Sequence, residues 1–154
     1  MKIRFVPVAL IAGLVLIASG AQSAEFDKVQ KERSDFMKSI SSENKTLRAA
    51  AKDGNMADVE KSASELASKF GKWADPSLFP KGSAEGTRAK PAIWENWADF
   101  EEKAATARKL AQAVAAQAKA GNVEETQMLV NSLAKQACNN CHDDYRGPRP
   151  KKGM

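Results

Sequence analysis

Two Gly-Asn dipeptides, Gly54-Asn55 and Gly121-Asn122, interrupt long stretches of helical periodicity in this 154-residue chain. Glycine ends helices because it tolerates the left-handed backbone conformation, and asparagine caps the N-terminus of the helix that follows. Glu125 lies three residues after Asn122, where a capping box would place its carboxylate. Two turns this short predict two antiparallel helix pairs.

Apolar residues on either side of these turns recur at spacings of three and four, which is typical of helices with one buried face. The four stripes are Phe26, Val29, Arg33, Phe36, Met37, Ile40, Leu47 and Ala51; Met56, Val59, Ala63, Leu66, Phe70 and Trp73; Trp97, Phe100, Ala104, Ala107, Ala111, Val114 and Ala118; and Val130, Leu133, Ala137 and Cys141. Residues 74–93 join the pairs, and their prolines and glycines predict a non-helical connector. No stretch alternates as a half-buried strand does, so the sequence predicts an all-α fold, an antiparallel up-down-up-down four-helix bundle.

The N-terminus resembles an export signal. Lys2 and Arg4 precede the apolar run 5–18, which is too short to span a bilayer comfortably, and small residues follow it. We therefore expect residues 1–23 to be a signal peptide cleaved after Ser23, or one residue later, which predicts a periplasmic protein without stable membrane insertion. An uncleaved membrane anchor is the alternative interpretation.

The remaining chain suits one domain. We assign residues 24–146 to the helical bundle and predict that the basic, proline-containing residues 147–154 form a disordered tail.

The net charge of the whole chain is +5, and its basic residues are scattered, which argues against nucleic-acid binding. With two cysteines only three positions apart, a disulfide could not join distant parts of the fold.

Those cysteines belong to the pentapeptide Cys138-Asn139-Asn140-Cys141-His142, which contains every cysteine and the only histidine of the chain. C-x-x-C-H is the spacing of covalent haem attachment, in which the two thiols add to the porphyrin vinyl groups. The adjacent imidazole then reaches the iron as an axial ligand. The motif predicts one haem c, bound through Cys138 and Cys141, with its iron held by His142.

Three other interpretations of the pentapeptide compete with haem attachment. A structural zinc or iron-sulfur site normally needs four protein ligands, and no further cysteine or histidine is present. A thioredoxin-like pair would begin a helix after a strand, whereas this pair lies near the end of a helix. The last alternative is two incidental cysteines beside a solvated histidine.

The chain resembles the class II c-type cytochromes, the cytochrome c′ family, over nearly its whole predicted mature length. The matching pieces are Arg33 with Met37, Phe79-Pro80-Lys81-Gly82-Ser83, Pro91-Ala92-Ile93-Trp94, and the run from Cys138 to Arg146. The resemblance implies that the residue four positions after Arg33 lies over the iron. That residue is Met37, which implies the low-spin, six-coordinate branch with Met37 as distal axial ligand.

From the residues alone, ordinary core packing is the favoured role for Met37, since methionine fills gaps in cores and this one falls on the apolar stripe, and only the resemblance favours iron ligation. The resemblance further implies that Arg33 pairs with a haem propionate and that Thr87 donates to one, with a loop threonine as the alternative for Thr87. It also implies that Arg146 lies along the exposed side of the His142 imidazole. We expect Trp73, Trp94 and Trp97 to pack in the core.

The resemblance implies a periplasmic electron-transfer protein that carries one electron on haem iron, serves periplasmic redox partner proteins and is not an enzyme. The competing function is binding of nitric oxide or carbon monoxide, which requires a distal ligand that is absent or readily displaced. A peroxidase is disfavoured because the only histidine is used as a ligand. Many family members dimerise through their first two helices, and the sequence leaves monomer and homodimer both open.

Overall fold

The computed structural model of this protein describes residues 18–149, and their side chains from residue 23 onwards. Its helices are α1 (Ala18–Lys52), α2 (Met56–Trp73), the single turn α3 (Ala92–Glu95), α4 (Trp97–Lys119), α5 (Val123–Leu133) and α6 (Asn140–Tyr145). A π-helical turn, Ala134–Asn139, joins α5 to α6, and we call these three elements together the fourth rod. With α1, α2 and α4 it forms the predicted four-helix bundle, which confirms the all-α fold class.

The two Gly-Asn turns form as predicted. Gly54 and Gly121 adopt φ values of +71° and +74°, which favour glycine. Asn55 caps α2, because its side-chain oxygen accepts a hydrogen bond from the backbone N–H of Asp58 at 3.2 Å. Two antiparallel helix pairs follow from these turns.

The capping box predicted at Glu125 is wrong. The Asn122 side chain makes no capping hydrogen bond with α5, and its amide donates instead to Oε1 of Gln117 at 2.6 Å. That bond turns the side chain back toward the end of α4. The backbone carbonyl of Asn122 still accepts from Thr126, so α5 begins where the sequence predicts.

The apolar stripes meet in one core that runs the length of the bundle. Each part of the bundle contributes a fully buried side chain to this core. They are Leu47 from α1, Leu66 from α2, Val114 from α4 and Leu133 from the fourth rod. Alanines face each other between these larger groups, at Ala63, Ala107, Ala111 and Ala118 among others. Small side chains let the helix axes approach closely, so α2 and α4 make the most extensive contact in the bundle.

The bundle has two different ends. The turns at residues 53–55 and 120–122 lie together at one end, which we call the tip, where Lys119 of α4 forms an ion pair with Glu60 of α2 at 3.9 Å. The connector between α2 and α4 lies at the other end, which we call the connector end. This arrangement is the predicted up-down-up-down order.

The connector is more structured than the prediction of a non-helical segment. It contains a 3₁₀ turn at Pro76–Leu78 and the short helix α3, because proline is tolerated in the first turn of a helix. The side chain of Asp75 caps the 3₁₀ turn by accepting from the N–H of Ser77 at 2.9 Å. Within residues 18–149 no β-strand occurs, and a single isolated bridge pairs Ala89 with Arg146.

Both predicted terminal segments lie partly outside the described residues. Of the predicted signal peptide, the structure describes the backbone from Ala18, where α1 already begins. Among the described helices none is long and apolar enough to cross a membrane. Of the predicted tail, residues 150–154 are outside the described range, whereas Gly147 is hydrogen-bonded to the connector through the backbone of Arg88.

Candidate haem-attachment site

The three residues of the attachment motif lie on the fourth rod at the connector end. Cys138 is inside the π turn, and Cys141 with His142 lies in the first turn of α6. Both cysteines are unpaired and half-buried. A π turn bonds residue i to i+5 and therefore rotates the following side chains relative to a regular helix. The sequence shows no signal for it, because the apolar spacing of this stripe fits an ordinary helix.

Burial governs the chemistry of the two thiols. It raises the pKa of Cys138 and raises the pKa of Cys141 to about 11, where the neighbouring Lys103 only partly opposes it. Both are therefore neutral thiols at neutral pH, unlike the low-pKa thiolates of redox-active pairs. The described residues also contain no group of three or more cysteine, histidine or acidic side chains able to hold a metal ion. These observations argue against the thioredoxin-like and zinc interpretations.

The imidazole of His142 has the properties of a metal ligand. Burial lowers its pKa, and the cationic side chains of Arg146 and Arg88 lower it further, with a smaller opposing effect from Asp143. It is thus neutral at pH 7, which is the form that coordinates iron. Its half-buried ring makes no hydrogen bond within the described part of the chain.

An aromatic cluster, which sequence reasoning did not predict as part of the site, lies against the motif. Phe79 is its centre, with its ring 5.3 Å from Trp73, 6.0 Å from Trp97 and 5.0 Å from Phe100. Cys141 is among the half-buried residues that pack against it. The cluster members are Trp73, Phe79, Trp94, Trp97, Phe100 and Tyr145. Core packing of the three tryptophans is confirmed.

Arg33 is buried on α1, with 6% of its surface exposed. One terminal nitrogen donates to the Ser83 hydroxyl at 2.8 Å and to the Leu78 carbonyl at 3.2 Å, and the other donates to the Ser83 carbonyl at 2.5 Å. The guanidinium also lies over the Phe79 ring, 5.1 Å from its centroid. Burial lowers its pKa. No carboxylate pairs with it among the described residues, so an anionic group such as a propionate fits its remaining N–H donors.

Thr87 is engaged within the connector. Its hydroxyl donates to the carbonyl of Ala84 at 2.6 Å and accepts from the N–H of Ala89 at 3.1 Å. The only proton of this hydroxyl is therefore used in a local turn. The contacts match the alternative of a loop threonine, and donation to a propionate would require the hydroxyl to rotate away from Ala84.

Met37 lies one helical turn after Arg33 on α1 and is half-buried. Its side chain packs against the main core of the bundle, whereas Cys141 packs against the aromatic cluster. Its neighbour Phe36 stacks on Trp73, with ring centroids 5.7 Å apart. Met37 therefore lies where the main core borders the connector end.

The sequence matches the profile of the family described as Cytochrome C′ over residues 28–146. The chain belongs to the cytochrome c′ family. It is 34% identical to a cytochrome c′ of Rhodopseudomonas palustris, over 97% of this chain and 99% of the relative. It is 33% identical to a cytochrome c-556 of Agrobacterium fabrum, over 95% of this chain and 97% of the relative.

Solved structures agree with this membership. A cytochrome c′ from Rhodobacter sphaeroides superposes with a TM-score of 0.67 at 28% identity, covering 80% of this chain and 98% of the other. The fold is also shared with cytochrome c′ of Alcaligenes xylosoxidans, at a TM-score of 0.69 and 21% identity over 80% of this chain and 97% of the other.

Proteins of the cytochrome c′ family bind covalently attached haem c, and its iron is the metal of this protein. The donor set present here fits that group. Two neutral thiols three positions apart and one adjacent neutral imidazole share one short stretch of the fourth rod. Cys138 and Cys141 would hold the porphyrin, and His142 would hold the iron.

Proposed function

We propose that this cytochrome c′ family member is a periplasmic one-electron carrier whose haem iron is ligated by His142 and Met37. The observation that carries the proposal is the position of Met37 on α1, where the main core borders the connector end of the bundle. Arg33, one turn earlier, contacts Ser83 of the connector, and the connector residue Lys90 donates its N–H to the Tyr145 carbonyl just after His142 at 3.0 Å. The two proposed ligands thus belong to segments joined through the same connector.

The other described methionines are poorly located for this role. Met56 opens α2 directly after the Gly54-Asn55 turn, at the tip. Met128 is 55% exposed on α5, fourteen residues before His142, which corresponds to about 21 Å along a helix. Met37 is therefore the thioether that best fits ligation at the connector end.

The proposed ligand pair suits electron transfer better than catalysis. When bound, haem c supplies an iron that alternates between the ferric and ferrous states. Ligation by the Met37 thioether together with the His142 imidazole would favour the reduced state of that iron, and retention of both side chains in the two oxidation states would keep reorganisation small. The only histidine of the chain is the proposed iron ligand, which leaves no imidazole for distal acid-base chemistry. We therefore propose that the protein is not an enzyme.

Gas binding is the second candidate function. Structures with this fold include a nitric oxide complex of a variant of Alcaligenes xylosoxidans cytochrome c′, at a TM-score of 0.68 and 23% identity. In this chain a gas would have to displace Met37, whose only described interactions are packing contacts. The two functions thus differ in one property, the ease with which the Met37 thioether leaves the iron.

Absorption spectra of the purified ferrous holoprotein, with and without carbon monoxide, test the proposal. We expect a low-spin spectrum that changes little with the gas, since the distal position is occupied. Met37→Leu should give a high-spin spectrum and rapid adduct formation, whereas the exposed Met128→Leu should behave as the parent protein. Rapid adduct formation by the parent protein would instead support gas binding.

We further propose periplasmic redox proteins as the partners, in line with the periplasmic location of family members and the predicted export signal. The oligomeric state follows from sedimentation of the mature holoprotein. A homodimer would be expected to use α1 and α2, as the resemblance implies.

A further inference from the structure

Ser83 is completely buried although it lies in the connector between the exposed Gly82 and the half-buried Ala84. Its hydroxyl and its carbonyl both accept from the Arg33 guanidinium, at 2.8 and 2.5 Å, and its N–H donates to the Pro80 carbonyl at 3.2 Å. No buried side-chain nitrogen or oxygen in the described part of the chain lacks a hydrogen-bond partner. A buried cation is costly unless its donors are satisfied, so Ser83, which accepts two of the three hydrogen bonds from Arg33, is the main partner that holds it.

The same face of α1 holds the connector at three successive turns. A Cβ at Gly82 would lie 3.3 Å from the ring of Phe26, which shows how closely the connector approaches α1. The Gln30 amide donates to the carbonyls of Ser83 and Glu85 at 3.3 and 3.0 Å. The three α1 residues that contact the connector, Phe26, Gln30 and Arg33, follow one another at spacings of four and three. The next residue on this helix face is Met37, four positions after Arg33.

The far part of the connector is attached to the segment that follows His142. The N–H of Gly147 donates to the Arg88 carbonyl at 2.7 Å, and Nε of Arg88 donates back to the Gly147 carbonyl at 2.9 Å. Nζ of Lys90 donates to the Asp143 carbonyl at 2.8 Å. The connector thus bridges α1 and the fourth rod.

We propose that Ser83 is a positioning residue for the distal ligand. By fixing Arg33 against the connector, it holds α1 at the distance from the fourth rod at which the Met37 thioether stays on the iron. This inference rests on the proposed function, because it assumes that Met37 is the ligand. Ser83 itself touches neither thiol nor imidazole and acts through Arg33 and α1.

Loss of the Ser83 hydroxyl removes one hydrogen bond to a buried cation while leaving the carbonyl contacts of Arg33 in place. An interaction of this kind shifts a two-state equilibrium on the order of tenfold. The equilibrium concerned is between Met37 bound to the iron and Met37 released. An external ligand that enters only the released state reports that population directly.

The test uses ferrous holoprotein and carbon monoxide in three variants. Ser83→Ala removes the hydroxyl that bridges to α1. Thr126→Val removes an equally buried hydroxyl at the tip, where Thr126 donates to the Asn122 carbonyl at 2.8 Å, and serves as the matched control. Gln30→Ala removes the second contact from α1 to the connector and is a milder variant should Ser83→Ala fold poorly.

We expect carbon monoxide to associate on the order of tenfold faster with Ser83→Ala than with the parent protein, with a smaller increase for Gln30→Ala. Thr126→Val should match the parent protein. If carbon monoxide associates at equal rates with Ser83→Ala and Thr126→Val, whether both rates are slow or both are increased, this inference is overturned. The proposal that Met37 ligates the iron is not contradicted by that result. Rapid association with the parent protein itself would overturn the proposed function and this inference together.

Hydrogen exchange of the holoprotein gives a readout that does not depend on gas binding. The amides of Ser83 and Thr87 donate within the connector, to Pro80 and Ala84. In Ser83→Ala these amides and those of the first half of α1 should exchange faster, whereas Thr126→Val should alter exchange only at the tip. Unchanged exchange at both connector amides would contradict the positioning role.

Discussion

The Tyr145 hydroxyl donates a short hydrogen bond to the Asp99 carboxylate and thereby joins α6 to α4 immediately after the attachment motif. Tyr145 is 5% exposed, and its ring packs edge-on against Phe100 with centroids 5.2 Å apart. Nearby, Lys103 pairs with Asp144 at 2.9 Å and with Asp99 at 3.7 Å. The end of the chain is therefore fixed by a polar network on one side and by aromatic packing on the other.

Alkaline pH should destabilise the protein through this tyrosine. Burial raises the pKa of Tyr145 above its ordinary value near 10, and the hydrogen bond to Asp99 raises it further. A folded-state pKa above the unfolded value contributes stability that is fully present below pH ~10 and is lost as the pH rises through the folded pKa. Because the chain has one tyrosine, the phenolate absorbance in the ultraviolet reports this group alone.

We expect the phenolate of the folded protein to form only above pH ~10, and we expect Tyr145→Phe to flatten the alkaline decline in stability. Asp99→Asn should lower the pKa of Tyr145, since it removes the negative charge that opposes ionisation. Titration of the folded parent protein at an ordinary tyrosine pKa would show that this hydrogen bond does not form in solution.

The two asparagines that begin α2 and α5 should differ in importance. Asn55→Ala removes the cap on the Asp58 N–H and should cost about 1 kcal/mol in the free energy of unfolding. Asn122→Ala should cost clearly less, because the Asn122 side chain bonds only to the exposed end of α4. Denaturant unfolding of both variants provides the comparison, and equal losses would count against the capping assignment.

Gly82 and Gly86 give a second matched pair, in the connector. Both have positive φ values, +92° and +71°, but a Cβ at Gly82 would press on Phe26, whereas a Cβ at Gly86 would meet nothing within 4 Å. Alanine in a left-handed conformation costs about 1 kcal/mol, so both variants should lose stability, Gly82→Ala by more. Thermal unfolding of the holoproteins measures the difference. A larger loss for Gly86→Ala would contradict the close approach of the connector to α1.

Covalent attachment and export are tested together by the intact mass of protein from a host that matures exported c-type cytochromes. We expect the mass of a chain beginning at Ala24, or one residue later, plus one haem. Cys138→Ser with Cys141→Ser should lose the covalent haem under denaturing conditions, while either single variant retains one thioether link. A colourless parent protein of unmodified mass would contradict the haem assignment.

Periodicity predicted the bundle because each rod has one apolar face and that face repeats every three or four residues. The stripe containing Phe100, Ala104 and Val114 is buried as predicted. The apolar spacing did not predict the π turn around Cys138. The capping hydrogen bond predicted at Asn122 does not form, because its side chain bonds to Gln117 across the turn instead. Local sequence determines such features weakly, because tertiary contacts of similar energy select among them.

The site itself was predicted in part. Cys138, Cys141 and His142 are recognisable because a rare combination of residue types stands at a fixed spacing. The resemblance marked the segment 79–83 but assigned no contact to Phe79 or Ser83, and their contacts with Arg33 became visible only when the fold brought the connector against α1. Buried polar contacts between distant segments are the part of a site that composition and spacing do not encode.

The separation of the tip from the connector end has a practical consequence. Both Gly-Asn turns are exposed and lie far along the bundle from the proposed redox centre, and neither contacts the connector. A fluorophore, an affinity handle or an electrode linker inserted between Gly121 and Asn122 would leave the connector-end surface around the proposed redox centre unobstructed. An immobilised protein oriented in this way would present that surface to solution.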